Sequence, residues 1–168
     1  MGGFNGNHEI ALSAVERQKL EQGLRKTGIL ILKGSEIRLN QNIISLYGVD
    51  DPLSDWDNDA DTAGNMEHTL NQLHINKNKY NILLSHRPEA FNAYSDFDLV
   101  LSGHAHGGQF RILLIGGIIA PGQGFFPKYD AGEYKKGRTT MIVSREIGNS
   151  IIPVRINNRP ELIVINIS

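Results

Sequence analysis

The short apolar run Asp98-Leu99-Val100-Leu101 leads straight into Ser102-Gly103-His104-Ala105-His106-Gly107-Gly108-Gln109, and no other stretch constrains the fold of this chain as much. It reads as a strand that ends in metal chemistry. On a continuing strand, residues two apart present both imidazoles to one face, and glycine on each side lets the backbone bend. A polar turn with two incidental histidines is the competing reading, and context decides between them. Two other segments supply that context: Gly6-Asn7-His8-Glu9 near the N-terminus, and Ser85-His86-Arg87-Pro88 directly after Tyr80-Asn81-Ile82-Leu83-Leu84. Histidines in loops at several strand ends are what an open α/β sheet offers a ligand at its carboxyl edge.

A chain of 168 residues with 40% hydrophobic content fits one domain with a proper core. Net charge is −1 and the sequence pI is about 6.6, so no large positive field is present to hold a nucleic-acid backbone, and no nucleic-acid partner is expected. Cysteine is absent, which excludes disulfides and thiolate zinc sites and leaves nitrogen and oxygen ligands for any metal. The apolar stretch Ile112–Ala120 is far too short to span a bilayer. The N-terminus lacks a signal-peptide pattern and begins inside what reads as a site loop.

Ser13 and Glu16 stand in a capping-box relation, which predicts a helix over 13–26 that ends near Thr27-Gly28. Strands are expected at 29–32, 37–39 and 43–49 in hairpin style at a sheet edge, then at 80–84, 98–102, 111–115, 140–144 and 162–167. Short helices are expected over 62–73 and 88–93. The acidic run with Asp55, Asp57, Asp59 and Asp61 invites a calcium reading, but Thr62 and His68 stand where an EF-hand loop starting at Asp57 needs glycine and glutamate. A solvated acidic loop is the better reading. His68 and His74 are expected at the surface or in packing. The glycine- and proline-rich segment 116–134 is long enough to suggest a functional loop.

These residues resemble the calcineurin-like metallophosphoesterases, within them the bacterial YkuE/YaeI-like phosphodiesterase group. The family pattern runs D-x-H, G-D-x-x-D, G-N-H-[DE], a lone histidine after a strand, and G-H-x-H. Gly6-Asn7-His8-Glu9, His86 and Gly103-His104-Ala105-His106 follow it in order, and Ala120-Pro121-Gly122-Gln123-Gly124 and Asn158-Arg159-Pro160-Glu161 also look like this group. The resemblance implies a four-layer α/β/β/α sandwich of two mixed β-sheets and a metal-dependent phosphoesterase that hydrolyses phosphodiesters or phosphomonoesters at a dinuclear site. It implies that Asn7, His86 and His104 hold one divalent ion (Mn, Zn or Fe), that His106 serves a second, and that His8 acts as an acid toward the leaving oxygen. Two ions about 3.5 to 4 Å apart activate a bridging water and stabilise an in-line displacement. Glu9 either orients His8 or makes a surface salt bridge.

The D-x-H and G-D-x-x-D motifs do not occur, and no aspartate precedes residue 50. The chain therefore looks like the C-terminal portion of a single domain, over 1–168, with its N-terminal metal-binding motifs absent. It is expected to hold one ion at most, weakly, to be inactive alone, and to associate through exposed sheet edges. Glu146 stands where the group usually has glycine. Arg145 and Arg138 are candidates for a substrate phosphate, and Phe125, Phe126 and Tyr129 for covering a lipid-like group or for packing. The family implies a phosphoester substrate, with phospholipid or lipid-linked compounds among the candidates, and a bacterial parent in the cytoplasm or anchored to the cytoplasmic membrane. Two alternatives compete: a noncatalytic binding module completed by another chain, and a mononuclear zinc hydrolase of His86, His104 and His106, which lacks an evident carboxylate beside the pair.

Overall fold

Tyr80–Leu84 and Leu99–Ser102, rich in branched apolar residues, take the two central places of a six-stranded sheet, where both faces of a strand are covered most. The computed structural model describes residues 2–52, 62–148 and 154–167. Its strands are β1 (Gly2–Gly3), β2 (Leu30–Ile31), β3 (Ser35–Leu39), β4 (Ile44–Gly48), β5 (Tyr80–Leu84), β6 (Leu99–Ser102), β7 (Arg111–Ile112), β8 (Gly116–Gly117), β9 (Ile119–Ala120), β10 (Gly124–Phe125), β11 (Gly132–Lys136) and β12 (Thr139–Val143). The α-helices are α1 (Asn7–Ile10), α2 (Ala14–Lys26) and α3 (Thr62–Leu70), and 3-10 turns cover Asn40–Asn42, Pro88–Tyr94 and His106–Gly108.

Sheet order is β11-β12-β6-β5-β4-β3. The inner strands β12, β6, β5 and β4 run parallel, and each outer strand is the antiparallel hairpin partner of its neighbour. Register places Tyr47, Leu83, Val100 and Met141 in one row across the sheet, each 2% exposed or less. Met66 and Leu70 of α3, with Phe91, Tyr94 and Phe97, close over that row and make the core. The adjacent row, Leu84, Leu101 and Ile142, points to the other face and stays only partly covered. There the β1–β2 pair covers one end, and Gly48 lets Leu32 pack against the β4 backbone where any side chain would collide.

Thus the architecture is mixed α/β. Besides the six-stranded sheet, only two-stranded pairs occur among the described residues, so a second large sheet is not seen there. The predicted helix after Ser13 forms: Ser13 Oγ and the Glu16 carboxylate close the capping box. Three strand expectations need correction. Residues 29–32 do not join the β3–β4 hairpin, because Leu30 and Ile31 pair in parallel with Gly2 and Gly3. Residues 111–115 form a two-residue strand and a turn, since Leu114 adopts a left-handed φ of 73°. Residues 162–167 form no strand: Leu162 and Val164 alternate as a strand would but stay 80% and 78% exposed, with no neighbouring strand among the described residues. Segment 116–134 is not one long loop, since it holds β8, β9, β10 and the start of β11. The acidic run 53–61 lies outside the described residues.

Candidate metal centre at the carboxyl edge of the sheet

Parallel β4, β5, β6 and β12 all end on one edge, so Asp50-Asp51, His86-Arg87, Gly103-His104 and Arg145-Glu146 leave the sheet side by side. The N-terminal loop joins them: the Asp51 N–H donates to Asn5 O at 3.0 Å, and Asn5 N–H donates to Asp50 Oδ1 at 3.2 Å. That fixes the start of α1 over the sheet edge, and Asn7 reaches His86.

Three donor atoms converge there. Asn7 Oδ1 lies 2.8 Å from His86 Nε2, and His86 Nε2 lies 3.0 Å from His104 Nδ1. Arg87 backs the group: its NH1 lies 3.2 Å from His104 Nε2, while its Nε donates to Asp51 Oδ2 at 2.8 Å and NH1 also donates to Glu89 at 3.3 Å. A guanidinium only donates, so His104 Nε2 must carry the lone pair and the ring proton sits on Nδ1, toward His86. Burial is the main reason His104 is held neutral, its pKa lowered to about 2, with His86 and Arg87 adding to the effect. His86 is lowered too, chiefly by burial, against the pull of Asp51 and Glu146. Burial raises the Glu89 carboxyl, partly offset by hydrogen bonding and Arg87.

His106 goes elsewhere. His104 and His106 have φ of 66° and 46°, so the chain turns left-handed instead of continuing as a strand, and the two rings meet different partners. His106 Nδ1 sits 2.9 Å from Glu146 Oε2. The other Glu146 oxygen accepts the His104 N–H. Burial pushes the Glu146 carboxyl up, but His106, His86 and that N–H outweigh it and hold it below the usual range. The side chain lies in space that a Cβ on Gly103 would fill, so glycine at 103 is what admits it. Gly108 and Gly117 approach backbone to backbone in the same way and seat the turn against β8.

Asn7, His86 and His104 are thus brought together, while His106 is beside them and bound to Glu146. His8 is exposed on α1. Glu9 accepts the Gly6 N–H at 3.0 Å and caps α1. Arg145 lines an open cleft with Arg111, Lys128 and Arg159, and its buried Nε finds no partner among the described residues. Arg138 is at the opposite sheet edge, paired with Asp98 at 2.7 Å, so it does not belong to this site. Tyr129 packs in the core against Phe91 and Tyr134, whereas Phe125 and Phe126 are exposed. His68 and His74 lie at the surface. Sequence reasoning missed Asp51 and Arg87, and it did not foresee a carboxylate beside the histidine pair, which Glu146 supplies. Only the place of Arg87 directly after His86 could have hinted at its role.

The chain is 33% identical over 167 residues to an uncharacterized metallophosphoesterase of Aquifex aeolicus, a match covering 96% of the chain and 58% of that protein. It is 35% identical over 103 residues to the uncharacterized metallophosphoesterase YkuE of Bacillus subtilis, across 60% of the chain and 35% of the relative. The chain belongs to the calcineurin-like metallophosphoesterase family. Phosphodiesterase YaeI of Escherichia coli is 27% identical over 166 residues, 96% of the chain and 56% of YaeI. The chain spans between a third and three-fifths of the length of these curated relatives. No family profile matches it, and no solved structure matches it significantly.

Proposed function

We propose that this chain carries the one-ion half of a phosphoester-hydrolysing site, within the C-terminal portion of a four-layer metallophosphoesterase domain. The convergence of Asn7 Oδ1, His86 Nε2 and His104 Nδ1 carries the reading. An amide oxygen and two neutral imidazoles suit one borderline divalent ion, Zn, Mn or Fe. The fit has a condition: the His104 proton must move to Nε2, and Arg87 must turn off that nitrogen. A two-ion centre does not fit, because Glu146 engages His106 and no group of three or more His, Cys, Asp or Glu is arranged to hold an ion among the described residues.

When bound, such an ion lowers the pKa of a ligated water and polarises a phosphoryl oxygen. The remaining work belongs to side chains. Exposed His8 is the proton donor to a leaving oxygen, a role that contributes about 10²–10⁴-fold for poor leaving groups. Arg145 offers its guanidinium to a phosphate oxygen. Arg87, anchored by Asp51, holds His104 in the non-ligating tautomer until that rearrangement. The substrate is a phosphoester, and with neutral donors alone this chain turns it over slowly.

Hydrolysis of bis(p-nitrophenyl) phosphate with and without Mn or Zn tests this. The expected result is weak, chelator-sensitive turnover that His104→Ala and His86→Ala both abolish. Turnover that survives chelation, or that His104→Ala leaves intact, contradicts it. The Arg87 contact on His104 favours a second reading, a noncatalytic module, which predicts one bound ion and no turnover with any metal.

A further inference from the structure

The β7–β8 hairpin is the least expected surface of the molecule. Ile112, Leu113, Leu114 and Ile115 follow one another at its tip and are 45%, 86%, 99% and 64% exposed. The tip is built to stand out: Arg111 and Ile112 pair with Gly117 and Gly116, Leu114 takes a left-handed φ of 73°, and Ile115 N–H closes the turn on Ile112 O at 3.1 Å. Phe125 and Phe126, 73% and 65% exposed, hang from the next hairpin, which is tied to the base of the first through Ile118 N–H on Phe110 O at 2.7 Å. Six large apolar side chains on two consecutive hairpins exceed the scattered exposure normal for a soluble surface.

Cations lie beneath the tip. Arg111, Lys128, Arg145 and Arg159 line a cleft of about 900 Å³ with the hairpin residues, and Asp130 is the one acidic residue of its lining among the described residues. Asp130 is taken by Arg111 at 2.7 Å, which leaves Lys128, Arg145 and Arg159 without an acidic counterpart among the cleft's described lining residues, in a chain whose net charge is −1.

We propose that this face docks on an anionic phospholipid bilayer, with the Ile112–Ile115 tip and the two phenylalanines in the headgroup–acyl boundary and the cationic cleft at the phosphate level. A protruding apolar tip ringed by cations matches a bilayer interface in both shape and charge. A groove for a helix or strand would be concave, and here the apolar residues project. The inference does not depend on the hydrolytic reading.

Co-sedimentation of the 168-residue chain with phosphatidylcholine vesicles, with and without phosphatidylglycerol, tests it. The expected result is binding to the anionic vesicles that weakens with salt. The double variant Leu113→Glu with Leu114→Glu should lose at least about tenfold. Lys128→Ala with Arg159→Ala should lose roughly thirtyfold on anionic vesicles, at about fivefold per cation. Ile43→Glu, at an apolar position 59% exposed elsewhere, should bind as the parent does. Circular dichroism on each variant confirms folding. The proposal is overturned if the parent ignores anionic vesicles or if the tip variant binds equally. It is overturned too if soluble glycerol phosphate displaces the chain from vesicles, which marks a free-phosphate pocket, or if the tip variant's sole effect is to dissolve a dimer seen by size-exclusion chromatography.

Discussion

The carboxyl edge of the sheet and the β7–β8 hairpin break the ordinary rule of burial in opposite directions. At the sheet edge, Arg87 and Asp51 are charged and almost fully enclosed, with side chains 5% and 0% exposed. At the hairpin, Leu114 is apolar and 99% exposed. Buried charge is tolerated only when each group has partners, and Arg87 has Asp51, Glu89 and His104. Exposed leucine has no such constraint, so it contributes little to stability and is free to serve a surface role. The first region is held by side chains on every side, and the tip of the second by its backbone pairing.

That contrast breaks most easily at Asp51. Asp51→Asn leaves the Arg87 guanidinium buried against a neutral amide and should cost about 3–5 kcal/mol in urea unfolding; a cost near zero would mean that Glu89 and His104 alone satisfy Arg87. Tyr94→Phe comes next. The Tyr94 hydroxyl donates to Arg87 O at 2.6 Å and lies 2.8 Å from Ser85 Oγ in a fully buried setting, so its removal should cost about 1–3 kcal/mol. Asp130 sharpens the comparison from the hairpin side. Burial pushes its carboxyl up, but the Gly117 N–H, Tyr134 and Arg111 hold it below the ordinary aspartate range. The stability it contributes is therefore present above that range and is lost as pH falls through the lower folded value. Asp130→Asn should cost about 1–2 kcal/mol at neutral pH and flatten the acid limb of a stability–pH profile. Leu114→Ser should have the smallest effect, within about 0.5 kcal/mol of the parent. A larger loss would show that the tip is packed in solution.

Local signals were readable in advance. Ser13 and Glu16 announce α2 because a capping box needs only neighbours in sequence, and the branched run at Tyr80–Leu84 announces a central strand for the same reason. Long-range pairing was not readable. Leu162–Ile167 alternates like a strand, yet a strand needs a neighbour, and none lies beside it among the described residues. The Arg111–Ile115 run is apolar enough for a strand, but the left-handed Leu114 turns it back after two residues. In the site, three motifs in order put Asn7, His86 and His104 forward as candidates, and the structure brings these three side chains together. The split between His104 and His106 was not, because it depends on positive φ at both residues and on Glu146 arriving from a strand 40 residues further on.

Calorimetric titration of zinc into the chain, repeated with Asn7→Ala and His104→Ala, tests the central claim most directly. One ion per chain in the parent, with affinity reduced at least about tenfold in each variant and the fold intact, is the predicted result. Two ions per chain, or one ion bound as tightly after His104→Ala, would contradict a single site built from Asn7, His86 and His104.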